Sequence, residues 1–126
     1  MTHKLKVLLV EDDLMLQEVL KSTLEGFGCT VMCSNNGYEA IQLLKKQTFS
    51  VIISDIKMPK MDGISLLETL KTLGINTPVV MMTGYSEYKD DQIAHAGGVV
   101  LLEKPFTRAK LKELFDEYMS LLPTGS

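Results

Sequence analysis

Five short apolar runs, each followed by a stretch with helical spacing, constrain the fold of this chain more than any other feature. The runs are KVLLV (6–10), TVMCS (30–34), SVIIS (50–54), PVVMM (78–82) and VVLLE (99–103). All but the second are apolar throughout rather than alternating, which is the pattern of parallel strands covered on both faces. Leu16, Val19, Leu20, Thr23 and Leu24 then recur at 3.6-residue spacing and place a first helix, stopped by Gly26 and Gly28. Asn36 opens a second, with Glu39 in capping-box position and Ile41 and Leu44 facing inward. Leu66, Leu67, Leu70 and Leu73 mark a third, closed by Gly74. A fourth pattern, 88–96, is short and polar. The last helix is opened by Thr107 and carries Leu111, Leu114, Phe115, Tyr118 and Leu122 on one face. Five alternations of strand and helix predict an α/β fold, a doubly wound, five-stranded parallel sheet flanked by five helices. Sheets of this kind take their ligands outside the carboxyl ends of the strands, where the strand order switches.

The size suits that reading. With 126 residues, 45% of them hydrophobic, one domain spanning 1–126 and built around one core is expected, its core over about 4–122 and a short polar tail at 123–126. The net charge of -3 offers no basic field for nucleic acid or an anionic membrane. No apolar run is long enough to span a bilayer, and the start, MTHKLKVLLVEDD, does not read as a signal peptide because its apolar stretch ends in acids. Cys29 and Cys33 are four apart, a spacing that disfavours a disulfide on a strand, and neither another Cys nor a spaced His completes a zinc site. The simplest reading is a cytoplasmic protein with buried, reduced thiols.

The residues that close the strands carry the chemistry. Glu11, Asp12 and Asp13 follow the first run, Asp55 the third, Thr83, Gly84 and Tyr85 the fourth, and Glu103-Lys104-Pro105-Phe106 the fifth. Each has an ordinary explanation taken alone: acids cap helices, an Asp makes an Asx-turn, a Thr ends a strand, a Lys is solvated. Asp13 is expected to be such a cap. Glu11, Asp12 and Asp55 gathered at one point would instead repel one another, and their pKa values would rise unless a cation were present. The donors are hard oxygens with no His or Cys among them, which suits Mg²⁺ better than zinc. No glycine loop follows the first strand, so neither a dinucleotide nor a P-loop nucleotide is favoured. A small anion bridging a metal, a hydroxyl and a lysine remains, and a phosphoryl group fits.

With these residues in place, the sequence resembles the CheY-like receiver domains of two-component response regulators. VLLVEDD, ISDIKMPKMDG, VVMMTGY and LEKPF carry the likeness, in that order, over residues 4–122. The resemblance implies a flavodoxin-like fold and a phosphoacceptor switch. Asp55 would take a phosphoryl group from a phosphohistidine on a sensor histidine kinase or a histidine phosphotransfer protein. Mg²⁺ would be held by Asp12, Asp55 and the backbone carbonyl of Lys57, with Glu11 acting through water. Thr83 would hydrogen-bond the phosphoryl group, Lys104 would pair with it, and Gly84 would leave it room. Lys57 and Tyr85 would flank it, and the Lys104–Pro105 bond would be cis. Conformational change would then alter binding to a downstream effector, with neither nucleic acid nor membrane bound by this domain and with homodimerisation through the last helix as an option.

Two points depart from the family pattern or stay open. Similar domains commonly carry an aromatic residue three positions before the lysine; here Leu101 stands there, so the usual Thr–aromatic relay is not expected and the switch is expected to run through residues 84–118. A Mg²⁺-dependent phosphohydrolase is the enzymatic alternative, weakened because Lys57 rather than an acid lies two residues after Asp55. A receiver cut from a larger transcriptional regulator or hybrid kinase, and a pseudo-receiver without phosphoryl chemistry, complete the set. His3, His95, Met81 and Met82 are read as packing or surface residues.

Overall fold

The computed structural model describes residues 5–55, 63–83, 100–103 and 107–121. Strands β1 (Lys6–Val10), β2 (Thr30–Ser34), β3 (Val51–Asp55), β4 (Val79–Thr83) and β5 (Val100–Glu103) form one sheet in the order β2-β1-β3-β4-β5. Every pairing is parallel. Among the described residues four helices accompany them: α1 (Leu14–Gly26), α2 (Gly37–Lys46), α3 (Gly63–Leu73) and α4 (Arg108–Leu121). This is a flavodoxin-like α/β arrangement. The helix expected at 88–96 lies outside the described residues, as do Lys57, Gly84, Tyr85, Lys104, Pro105, His3 and His95.

Alternation along the strands explains why they are apolar throughout. Leu8, Val10, Ile52, Val79 and Met81 join Ala40 and Ile41 of α2 and Leu66, Leu67 and Leu70 of α3 in one core. Their sequence neighbours Val7, Leu9, Val51, Ile53, Val80 and Met82 join Leu20 and Leu24 of α1 and Leu111 of α4 in another. Successive side chains point to opposite faces, so a strand covered twice cannot alternate with polar residues. β2 pairs only with β1 and stands at the sheet edge, which is why its run is the mixed one.

Local signals place the helix ends. The Asp13 carboxylate accepts from Met15 N (3.0 Å) and Leu16 N (3.3 Å), the cap expected of it. Asn36 Oδ1 accepts from Glu39 N at 3.0 Å, while the Glu39 carboxylate reaches Asn35 N (3.2 Å) and Asn36 Nδ2 (3.3 Å), one residue off the usual reciprocal box. Thr107 Oγ1 accepts from Lys110 N at 3.0 Å and caps α4. Gly28 (φ 97°) and Gly74 (φ 73°) take the left-handed conformation just past α1 and α3, where a Cβ would be strained. Phe27, the C-cap of α1, lies under Arg108 (5.0 Å) and Lys112 (5.5 Å), tying that cap to α4.

The structure corrects several expectations. The third and fourth strands begin and end one residue later than 50–54 and 78–82 suggested, and the fifth begins one residue later than 99–103 and ends where expected. A proline has no N–H for the ladder, so Pro78 contributes only its carbonyl, to Ile52 N at 2.9 Å, and the strand starts at Val79. Asp55 and Thr83 are therefore the last residues of their strands. Val19, expected to face inward, is 61% exposed, and Leu73 is exposed at the end of α3. Thr23 is only half-buried and returns its hydroxyl to the Val19 carbonyl at 2.9 Å. Cys29 is buried, and burial pushes its thiol up to about 11. Cys33 is half-buried rather than buried, its thiol raised by burial and by Glu25 against the opposing pull of Lys21. Met81 and Met82 are fully buried, as read. Beyond Leu111, the side chains on the apolar face of α4 lie outside the described set.

Candidate functional site

The strand order reverses at β1, which has β2 on one side and β3 on the other. The crevice of a doubly wound sheet opens at that point, beyond the carboxyl ends of the two central strands. Glu11 and Asp12 leave β1 there, and Asp55 ends β3. Carboxylate oxygens of Glu11, Asp12 and Asp55 all come within 4.8 Å of one another. Glu11 is 1% exposed and Asp55 9%, while Asp12 faces solvent. Two nearly buried acids beside a third make a site of concentrated negative charge that a cation would relieve.

The backbone holds these acids. The last β1–β3 pair is Val10↔Ser54, and Asp55 pairs on its other side with Met82 of β4. The Ser54 hydroxyl, fully buried, donates to the Asp55 carbonyl at 3.0 Å. Glu11 N donates to the Ser34 carbonyl at 3.1 Å, and the Glu11 carboxylate accepts from Asp13 N at 3.1 Å. Asp13 itself turns away to cap α1, so the three consecutive acids divide their work: Glu11 and Asp12 face the cluster, and Asp13 serves the helix.

Of the other residues expected at the site, Thr83 ends β4 one residue past the ladder partner of Asp55, and it pairs with Glu103, the residue before Lys104. The Thr83 side chain, Lys57 and Lys104 lie outside the described residues. The structure also brings in a residue not singled out by sequence reasoning: the Gln17 amide donates to the carbonyls of Glu11 (2.9 Å) and Ser34 (3.3 Å) and to Asn35 Oδ1 (3.1 Å). Its signal in the sequence is a polar residue one turn after the acids, together with the polar end of β2. Leu14 (66% exposed), Met15 (79%) and Val19 form an exposed apolar surface on α1 beside the acidic turn.

The donor set is made of hard carboxylate oxygens, and it fits a hard divalent cation better than a soft one. A cation held by such a set would screen the strand-end carboxylate while it attacks an electrophile that is itself anionic.

Residues 7–116 match the family model for the response regulator receiver domain. The transcriptional regulatory protein ZraR of Klebsiella oxytoca is 31% identical over 119 residues, which are 94% of this chain and 27% of that protein. The chain spans about a quarter of the length of the first curated relatives it matches. Among solved structures, the receiver domain of the Francisella response regulator 1452 is 30% identical with a TM-score of 0.83, covering 94% of this chain and 98% of that one. The chemotaxis response regulator CheY4 of Vibrio cholerae is 28% identical with a TM-score of 0.85, covering 92% and 99%.

Proposed function

The chain belongs to the response regulator receiver family, and from that premise we propose that it accepts a phosphoryl group on Asp55 from a phosphohistidine donor. The observation that carries this is the convergence of Glu11, Asp12 and Asp55 at the topological switch point. An Asp55 carboxylate oxygen attacks the phosphorus, the bond from phosphorus to the donor nitrogen breaks, and the product is an acyl phosphate on Asp55 and a free imidazole on the donor. β3 keeps the nucleophile from moving as the new bond forms, because Asp55 is held in the ladder with β4.

Mg²⁺ is the cofactor of this reading; Asp12, Asp55 and the backbone carbonyl of Lys57 would hold it, and Glu11 would act through water. When bound it supplies charge neutralisation between the nucleophile and the phosphoryl oxygens. Thr83 and Lys104 take the phosphoryl oxygens once transfer is complete. The conformational change they set off alters binding to a downstream effector, as a population shift. The domain is a switch that turns over its own phosphoryl group and has no separate substrate. A sensor histidine kinase or a histidine phosphotransfer protein is the donor, in the cytoplasm. No helix among the described residues is long and apolar enough to cross a membrane.

Incubation with acetyl phosphate and Mg²⁺, followed by peptide mapping, tests the reading. One phosphoryl group per chain, on Asp55, is expected. Rapid multiple turnover would favour the phosphohydrolase alternative, and labelling at another residue would remove Asp55 from its role.

A further inference from the structure

β1 ends at Val10, so Glu11 and Asp12 stand beyond the last pair of the β1–β3 ladder and need another restraint. Gln17 provides one. It is half-buried in the first turn of α1, and its two amide protons meet three acceptors: the Glu11 carbonyl, Asn35 Oδ1 and the Ser34 carbonyl. The Glu11 carbonyl belongs to the peptide joining Glu11 to Asp12. That peptide is planar, so fixing its oxygen also fixes the Asp12 N–H and removes one of the few freedoms the acidic turn has. The Ser34 carbonyl also accepts from Glu11 N, so both backbone groups of Glu11 are referred to the end of β2. Asn35 is anchored in turn by its N–H to the Glu39 carboxylate in the first turn of α2.

We propose that Gln17 is a positioning residue of the phosphoacceptor site: its amide orients the Glu11–Asp12 peptide, through Glu11, Ser34 and Asn35, and so sets how those carboxylates meet Asp55. The inference rests on the metal-assisted reading above, but it concerns a residue that reading does not use. A glutamine kept for solubility would face water. This one donates to the Glu11 carbonyl, the Ser34 carbonyl and Asn35 Oδ1, and every partner lies at the carboxyl end of β1 or β2.

Gln17→Met keeps length and bulk and removes both donors. Its Mg²⁺ affinity, read from amide shifts in a magnesium titration, is expected to fall about tenfold, the low end for loss of an outer-shell partner. In the metal-free protein the Glu11, Asp12 and Asp13 amides should shift and exchange faster with solvent. Asn35→Ala should lose less, and the double variant should be no weaker than Gln17→Met alone, because both changes break one network. Leu20→Val on the buried face of α1 is the stability control; it should lower the unfolding midpoint and leave magnesium affinity unchanged. Wild-type affinity in Gln17→Met with amides 11–13 unmoved overturns the proposal. So does an equal loss of affinity in Leu20→Val, which would make the effect one of general stability. If the wild type gives no saturable magnesium response while amides 11–13 still move in Gln17→Met, the metal reading fails and the positioning role stands.

Discussion

At the scale of single residues, the site depends on where a side chain sits relative to the end of its strand. Asp55 is both a ladder residue and a member of the acidic cluster, so Asp55→Asn should fold normally yet give no acyl phosphate with acetyl phosphate and Mg²⁺, which mass spectrometry of the intact protein would show. Asp12 is exposed, so an amide in its place disturbs little packing. Asp12→Asn is expected to weaken magnesium binding at least about tenfold, and, by relieving repulsion, to leave the metal-free protein no less stable by urea denaturation. The acids were legible in the sequence because residue type and strand-end position are local properties. Gln17 was not, since its side-chain partners lie 6, 17 and 18 residues away and only the folded chain brings them together. Cys29 adds a pH dependence. Its folded thiol titrates at about 11 instead of 9.0, so the stability it contributes is complete below about pH 9 and is lost as pH rises through 11. Each unit of separation is worth ~1.4 kcal/mol. Cys29→Ala should flatten the alkaline limb of a stability–pH curve; an unchanged limb would assign that slope to other groups.

The element that departs furthest from its sequence pattern is α1. Its periodicity placed Leu16, Val19, Leu20, Thr23 and Leu24 on one face, yet the helix buries only Leu20 and Leu24 fully and leaves Leu14, Met15 and Val19 in solvent. Hydrophobic spacing tells which residues share a face and says nothing of a second apolar stripe with no internal partner. Apolar surface beside the acidic turn offers a contact for a protein donor. Met15→Asp should therefore slow transfer from a histidine-phosphorylated protein about tenfold or more and leave labelling by acetyl phosphate unchanged. Equal slowing with both donors would show damage to the site itself. The caps, by contrast, were legible: Asp13, Asn36 and Thr107 act within their own helices. Asp13→Ala should cost ~1 kcal/mol of unfolding free energy.

For the whole molecule, strand count, parallel order and the carboxyl edge followed from alternating runs, because a doubly covered sheet needs continuous apolar strands. The position of β1 between β2 and β3 did not, since strand order is fixed by which faces the helices cover and not by any run taken singly. That order is what turns separate acids into one cluster, so cation binding and folding should be linked. Magnesium at a hundred times its dissociation constant should raise the unfolding free energy by ~2.7 kcal/mol, and chelation should reverse it. The most direct test of the central claim is a crystal structure grown with Mg²⁺ and a beryllofluoride mimic of the phosphoryl group. The mimic is expected on the Asp55 carboxylate, with the cation touching Asp12 and Asp55. A mimic on another residue, or a cation bound away from both aspartates, would contradict it.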